Sequence, residues 1–345
     1  MTSETNGGVK MEIDRLSDQI NVKWWNQEVE RFPNKTVYHT YEWLEFIERS
    51  QGLRKIIYEI RIDGTVVCYL PGFAIRKGPL KIFASPFPGW TTPYMGPLLL
   101  ESVPQRLFFD EFRRLMNKEG YHYAELCNRA LNHELAKEEG FAVEEGVTYV
   151  AEIGANADEI LANFKKSTRK ATRKGLGNCD LVVETTTDSS FVDHFYTQLE
   201  QVFAKSRMKP TYPKERVKIL IETMLPTDRL LLTWVKHKHE PIACQISLIY
   251  GQWMHAFASA SARDYLRLRP NELLRFHTMR TASERGVRYY DMTGGGSYKA
   301  NFGGKETPVH RIIYGTPGLH KARNFAKSVT RLKNRIKYAF HHHGK

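Results

Sequence analysis

An order of elements that occurs twice constrains this chain more than any single motif. In the first half a helix opening over residues 40–47 precedes strands at 56–62 and 65–70 around an Asp63-Gly64 turn. A short strand at 81–84, an amphipathic helix at 105–118 stopped by Gly120, and a strand at 121–127 follow. In the second half a helix at 190–205 precedes strands at 230–236, 242–250 and 253–259, a helix at 271–284 stopped by Gly286, and a strand at 287–291. Helix, antiparallel strands, helix, strand, repeated at a period of about 150 residues, predicts two similar α+β domains rather than one large sheet. Each domain is expected to be a mixed, mostly antiparallel sheet flanked by helices. The predicted boundaries are a disordered N-terminus over 1–20, a first domain over 21–150, a second and catalytic domain over 151–315, and a basic helix over 316–345.

With 41% hydrophobic and 26% charged residues, each half can bury a core, which excludes wholesale disorder. The formal charge of +13 predicts an anionic partner: a phosphorylated substrate, nucleic acid or an acidic membrane surface. Cys68, Cys127, Cys179 and Cys244 form no CxxC pair, so neither a zinc ribbon nor a disulfide framework is indicated. Reduced thiols in a cytoplasm fit that spacing. The polar start is unlike a signal peptide, and no apolar run is long enough to span a bilayer. The expected location is cytoplasmic, with the inner face of the membrane as a peripheral option.

Residues 156–175 read as one helix, capped by Asn156 with Glu159 three positions on and ended by Gly175. Ile160, Phe164, Thr168 and Ala171 share one face; Lys165, Lys166, Arg169, Lys170 and Arg173 fall nearly opposite. Most charged runs are solvated faces. This one carries a single sign, with none of the opposite-sign pairing that stabilises a helix surface, and suits phosphate oxygens. A second basic amphipathic helix is expected over 318–340, its stripe made by Ala322, Phe325, Val329, Leu332, Ile336 and Phe340. The stripe predicts packing onto the body, and the basic side leaves an anionic membrane or RNA open.

The chemistry concentrates in Tyr289-Tyr290-Asp291-Met292-Thr293-Gly294-Gly295-Gly296-Ser297-Tyr298-Lys299-Ala300-Asn301-Phe302-Gly303-Gly304. Glycine permits sharp turns and close approach of a ligand, and a lysine on such a loop suits an anion or a developing negative charge. Gly304-Lys305 is followed by Glu306, so no Walker loop is present, and Gly175-Leu176-Gly177 lacks the third glycine of a dinucleotide fingerprint. His237, His239 and Cys244 read as a turn and its neighbour rather than a metal site, and no metal is predicted.

Taken in order, these segments resemble a known family. Lys166 to Gly175 is similar to the basic helix opening the second domain of Fem-type transferases, which add amino acids to peptidoglycan precursors. Arg269-Pro270-Asn271-Glu272-Leu273-Leu274, then 286–291 and 298–303, resemble their closing block, shared with BioF-like (CelD-like) acetyltransferases of the GNAT superfamily. His39 to Leu44, Leu70-Pro71 and Ser85-Pro86-Phe87 resemble Fem-like first domains. The likeness spans roughly residues 35–340 and implies tandem GNAT-like domains, with the terminal helix returning to the first. The long helical hairpin of some Fem proteins is absent. Arg267 to Asn271 stands where GNAT enzymes carry their pyrophosphate loop.

The resemblance implies transfer of an acyl or aminoacyl group from acyl-CoA or aminoacyl-tRNA to an amine of a phosphorylated cell-envelope or polysaccharide precursor. No tightly bound cofactor is implied, and a monomer is expected. Lys299 is assigned to the oxyanion or a donor phosphate, Tyr298 to orienting the donor or shuttling a proton, with packing under the loop as its plain alternative. Asp291 either orients Lys299, accepts the amine proton or caps the glycine turn. Lys166, Arg169 and Arg173 are assigned to the acceptor's phosphates. Asn271, Gly294 and Gly295 are assigned to the donor, with helix capping as the alternative for Asn271. His255, mid-strand, reads as a core histidine. The rival classes are a non-catalytic nucleic-acid binder using both basic helices and a scaffold on a membrane surface.

Overall fold

The structure, a computed structural model, describes residues 11–17, 19–205, 207–316, 318, 319 and 323. The first part of the chain forms β1 (Met11–Arg15), α1 (Val22–Glu30), α2 (Tyr41–Gln51), β2 (Lys55–Ile62), β3 (Thr65–Lys77), β4 (Leu80–Ser85), β5 (Leu98–Leu99), α3 (Gln105–Lys118), β6 (Tyr123–Leu126) and α4 (His133–Glu138). Then come β7 (Ala142–Glu152), α5 (Ala157–Asn163), α6 (Lys166–Leu176), β8 (Leu181–Thr185), α7 (Phe191–Lys205) and α8 (Lys214–Met224). The rest is β9 (Leu230–His237), β10 (Glu240–Tyr250), β11 (Trp253–Ser261), α9 (Pro270–Glu284), β12 (Tyr289–Asp291) and β13 (Lys305–Gly315). Two compact units result: residues up to Glu145 with His310–Leu319, and Gly146–Val309.

The two units share a strand plan. In the first, the order is β1-β2-β3-β4-β6-β13, antiparallel except for β4 against β6. In the second it is β8-β9-β10-β11-β12-β7, antiparallel except for β11 against β12. A parallel neighbour needs a crossover, which α3 provides in one unit and α9 in the other. The sixth place in each sheet is filled from the opposite half of the sequence. β7 follows the first repeat but pairs with β12, and the end of β13 follows the second repeat but pairs with β6.

Three expectations are corrected. The N-terminus is not loose throughout: Met11 to Arg15 pair with Ile62 to Tyr58, and alternation puts Met11 and Ile13 on the core. The first unit ends at Glu145, not at 150, and recovers 310–319. The basic helix is two helices, because Phe164 is extended (ψ 147°) and the Lys165 amide donates to the Asn301 carbonyl at 2.9 Å. Gly175 lies within α6, and Gly177 is its C-cap. The predicted helix over 318–340 lies almost entirely outside the described residues, so its packing does too.

The core of the second unit forms where α9 crosses the sheet. Phe276, Met279 and Ala282 meet Tyr290 and Met292 of the closing strand and its exit, and Phe164 and Phe302 join from the α5–α6 break and the glycine loop. Phe164 meets Phe302 edge-on with ring centroids 5.3 Å apart. Burial of these aromatic and aliphatic side chains is the main force holding the loop against the sheet.

Candidate active site

The site is built at the end of β12. Asp291 is fully buried there. Its Oδ1 accepts from the Thr148 hydroxyl at 2.5 Å and from the Thr293 amide at 2.8 Å. Its Oδ2 lies 3.8 Å from His255 Nδ1, and His255 is itself buried. The Asp291 carboxylate thus caps the turn leaving the strand.

Thr293 then adopts φ 47°, a left-handed conformation unusual for a β-branched residue. Its hydroxyl donates to the Ala256 carbonyl at 2.8 Å, which together with the Asp291 cap holds the strained residue in place. Gly294 follows at φ 69° and Gly296 at φ 132°, both open to glycine without penalty.

Residues Ser297–Phe302 form a 3-10 turn that carries Lys299 back under this loop. Lys299 is buried, and its Nζ donates to the carbonyls of Thr293 at 2.5 Å, Gly294 at 2.7 Å and Gly295 at 3.1 Å. In a planar trans peptide the carbonyl of one residue is antiparallel to the amide of the next. Three carbonyls drawn onto the ammonium therefore turn the amides of Gly294, Gly295 and Gly296 to the outside of the loop. Burial first, and the nearby Arg275 second, lower the Lys299 pKa to about 8, against a smaller upward pull from Asp291. Tyr298 is half-exposed beside it.

A second feature lies at the start of α9. Pro270 occupies the first helical position, where its fixed φ suits a helix start, and disfavours the right-handed conformation at Arg269, which sits at φ 59°. Among the described residues no side chain caps this N-terminus. Beside it is a cavity of about 700 Å³ lined by Ser167, Lys170 and Lys174 of α6 and by Arg267 and Arg269, with no carboxylate in its wall. The two helices approach closely because Gly175 lacks a side chain: a Cβ there would lie 2.8 Å from Leu273.

The residues expected for phosphate binding divide. Lys166 and Arg173 are exposed on α6 but do not line the cavity. Arg169 donates to the Ala162 and Phe164 carbonyls at 3.0 and 3.1 Å, closing the end of α5. Asn271 donates to the Ser261 hydroxyl at 3.2 Å, tying the helix start to β11 rather than capping it. Lys170, Lys174, Arg267 and Arg269 take the cavity instead. Arg275 and Thr148 are the other residues that sequence reasoning passed over. Arg275 carried a signal: it shares the stripe of Met279 and Ala282, where an arginine is out of place. Among the described residues no cluster of three or more His, Cys, Asp or Glu side chains could hold a metal ion, and no helix is long and apolar enough to cross a membrane.

Residues 162–300 match the family described as the acetyltransferase (GNAT) domain. None of the curated proteins compared matches the chain. Among solved structures, FemX superposes with a TM-score of 0.69 at 14% identity, covering 86% of this chain and 96% of that one. A tandem GNAT protein from the clavulanic acid biosynthesis pathway gives 0.56 at 10% identity, covering 88% and 98%. L-PGS from Bacillus licheniformis gives 0.53 at 9% identity, covering 86% and 92%. At such identities these structures speak for the fold, which is Fem-like, and residues 162–300 of the chain carry the match to the acetyltransferase (GNAT) domain.

Proposed function

We propose that the chain transfers an acyl or aminoacyl group, carried by CoA or by tRNA, to an amine of a phosphorylated cell-envelope or polysaccharide precursor. The observation that carries this reading is the lysine-centred glycine loop. As the amine attacks the thioester or ester carbonyl, negative charge grows on the carbonyl oxygen. The outward amides of Gly294 and Gly295 suit that oxygen, with the Lys299 charge behind them. Lys299 then stabilises the oxyanion through the loop it organises, and Asp291 fixes the loop's start through Thr148 and Thr293. Collapse of the intermediate breaks the bond to the sulfur or ribose oxygen, and the proton given up by the amine passes to that leaving group, giving the amide and a free thiol or hydroxyl. Tyr298, exposed beside the loop, orients the donor.

The basic cavity at the α9 N-terminus supports an anionic carrier. Its side chains supply charge where a GNAT pyrophosphate loop supplies glycine amides. Lys166 and Arg173 on the exposed side of α6 remain free to meet the acceptor's phosphates. The neighbouring Fem and L-PGS structures favour an aminoacyl donor, and the tandem GNAT neighbour favours a CoA thioester.

Incubation with labelled acyl-CoA and, separately, with labelled aminoacyl-tRNA is the direct test. Loss of label from one donor, dependent on an amine-bearing phosphorylated acceptor, is expected. Salt-sensitive RNA binding with no turnover of either donor would replace this reading with that of a nucleic-acid binder.

A further inference from the structure

Arg275 is a core cation with no acidic partner among the described residues. It is 6% exposed, on the buried stripe of α9. Among the described residues it makes no ion pair, and its Nε has no hydrogen-bond partner. Its one hydrogen bond among these residues is long, from Nη1 to the Tyr290 hydroxyl at 3.5 Å. The guanidinium carbon lies 4.8 Å from the Phe302 ring centre and 6.0 Å from those of Tyr290 and Tyr298. Aromatic faces offset part of the charge but accept none of the in-plane N–H groups.

A second buried cation, Lys299, stands near enough to feel it, makes no direct ion pair among the described residues, and has Asp291 as a more distant negative charge. Other polar atoms around Arg275 are incompletely satisfied. Gln245 Nε2 reaches the same Tyr290 hydroxyl at 3.1 Å, while Gln245 Oε1 has no partner. Thr233, its register partner on the neighbouring strand, has an unpartnered buried hydroxyl. Arg275 of α9 and Gln245 of β10 thus meet at one tyrosine hydroxyl, each with a polar atom left unpartnered among the described residues. Burying an arginine without a counter-charge costs stability, and the cost is removed when an anion joins it.

The edge of a guanidinium matches the two oxygens of a carboxylate. The depth of Arg275 restricts its ligand to a small terminal group, since a carrier's phosphates are served by the outer basic cavity. Resting on the acyltransferase reading above, we propose that Arg275 is a specificity-determining residue that receives a free carboxylate on the transferred acyl group. The donors favoured are then those of dicarboxylic acyl groups or acidic amino acids.

The test has a binding arm and a turnover arm, both on the full chain. Thermal unfolding is followed with succinate, with neutral succinamide and with inorganic phosphate. Succinate is expected to raise Tm and succinamide to leave it unchanged, and Arg275→Met is expected to abolish the succinate effect. In buffer alone Arg275→Met should melt higher than the parent, since an unpaired core charge is gone. Protection by phosphate but not succinate, or equal succinate protection of Arg275→Met, overturns the proposal. If Arg275→Met does not fold, Arg275→Lys and Arg275→Gln replace it, with the succinate effect kept in the first and lost in the second.

For turnover, succinyl and acetyl donors on one carrier are compared, as are aspartyl and alanyl donors. A preference for the acidic group of about tenfold or more, lost in Arg275→Met, is expected. Equal use of both donors, unchanged by the substitution, overturns the carboxylate subsite and leaves the acyltransferase reading standing. No turnover of any donor sinks that reading, and the binding arm alone then decides whether Arg275 holds an anion.

Discussion

At the scale of single residues, Lys299 organises its own loop by bonding to the loop's carbonyls. The glycine run and the lysine that follows were legible as a sharp loop carrying a cation, because that composition favours turns and close approach. The direction of the lysine was not legible, since its partners are the carbonyls of Thr293, Gly294 and Gly295, which no pattern encodes. Lys299→Met should lower kcat by about 10²–10³, the usual effect of losing oxyanion stabilisation, with a smaller change in KM. The proton on Lys299 also sets a pH dependence. With a folded pKa of about 8 against 10.5 unfolded, the unfolded chain holds the extra proton between these values. Stability therefore rises with pH across that window, while turnover falls as the ammonium is lost. Urea unfolding and initial rates measured across the same range should move in opposite directions, and Lys299→Met should flatten the stability trend.

At the scale of elements, periodicity located most helices and strands but hid the break between α5 and α6. Phe164 falls on the apolar stripe of a continuous helix, so pattern alone extends the helix through it. The break is set by contacts distant in sequence: Phe164 against Phe276 and Phe302, and the Lys165 amide on Asn301. The displaced α6 turns Lys170 and Lys174, rather than Arg169 and Arg173, toward the start of α9. Replacing Lys170 and Lys174 together with alanine should raise the KM for the donor and leave kcat nearly unchanged, as for groups that hold substrate and transition state alike. Gly175→Ala tests the same geometry differently. Its Cβ would press on Leu273 and cost about 1–3 kcal/mol, with donor KM raised although no charge is removed. A donor KM insensitive to both changes would separate the cavity from the reaction.

At the scale of the whole molecule, the repeat was readable because each half announces its helices and strands locally. The exchange of sixth strands was not readable, because it depends on pairing between segments far apart in the chain. One consequence is electrostatic. Glu125 of β6 is fully buried, accepting from the Tyr123 hydroxyl at 2.7 Å and from Arg311 Nη1 at 2.8 Å. Arg311 belongs to β13, and the same Nη1 donates to the Pro86 carbonyl at 3.2 Å. The first unit thus draws a counter-charge for a buried acid from the far end of the sequence. Arg311→Met should destabilise the first unit by about 3–5 kcal/mol, because it removes a cation bonded to a buried carboxylate. Adding Glu125→Gln should recover much of that loss, since the buried negative charge is then gone as well. A chain cut after Val309 loses both Arg311 and the strand that pairs with β6, and its first unit should not fold even though residues 11–145 are intact. Urea unfolding followed by tryptophan fluorescence, with Trp25, Trp43 and Trp90 reporting on that unit, distinguishes these cases. A cut chain with native unfolding of the first unit would mean that the exchanged strand is dispensable.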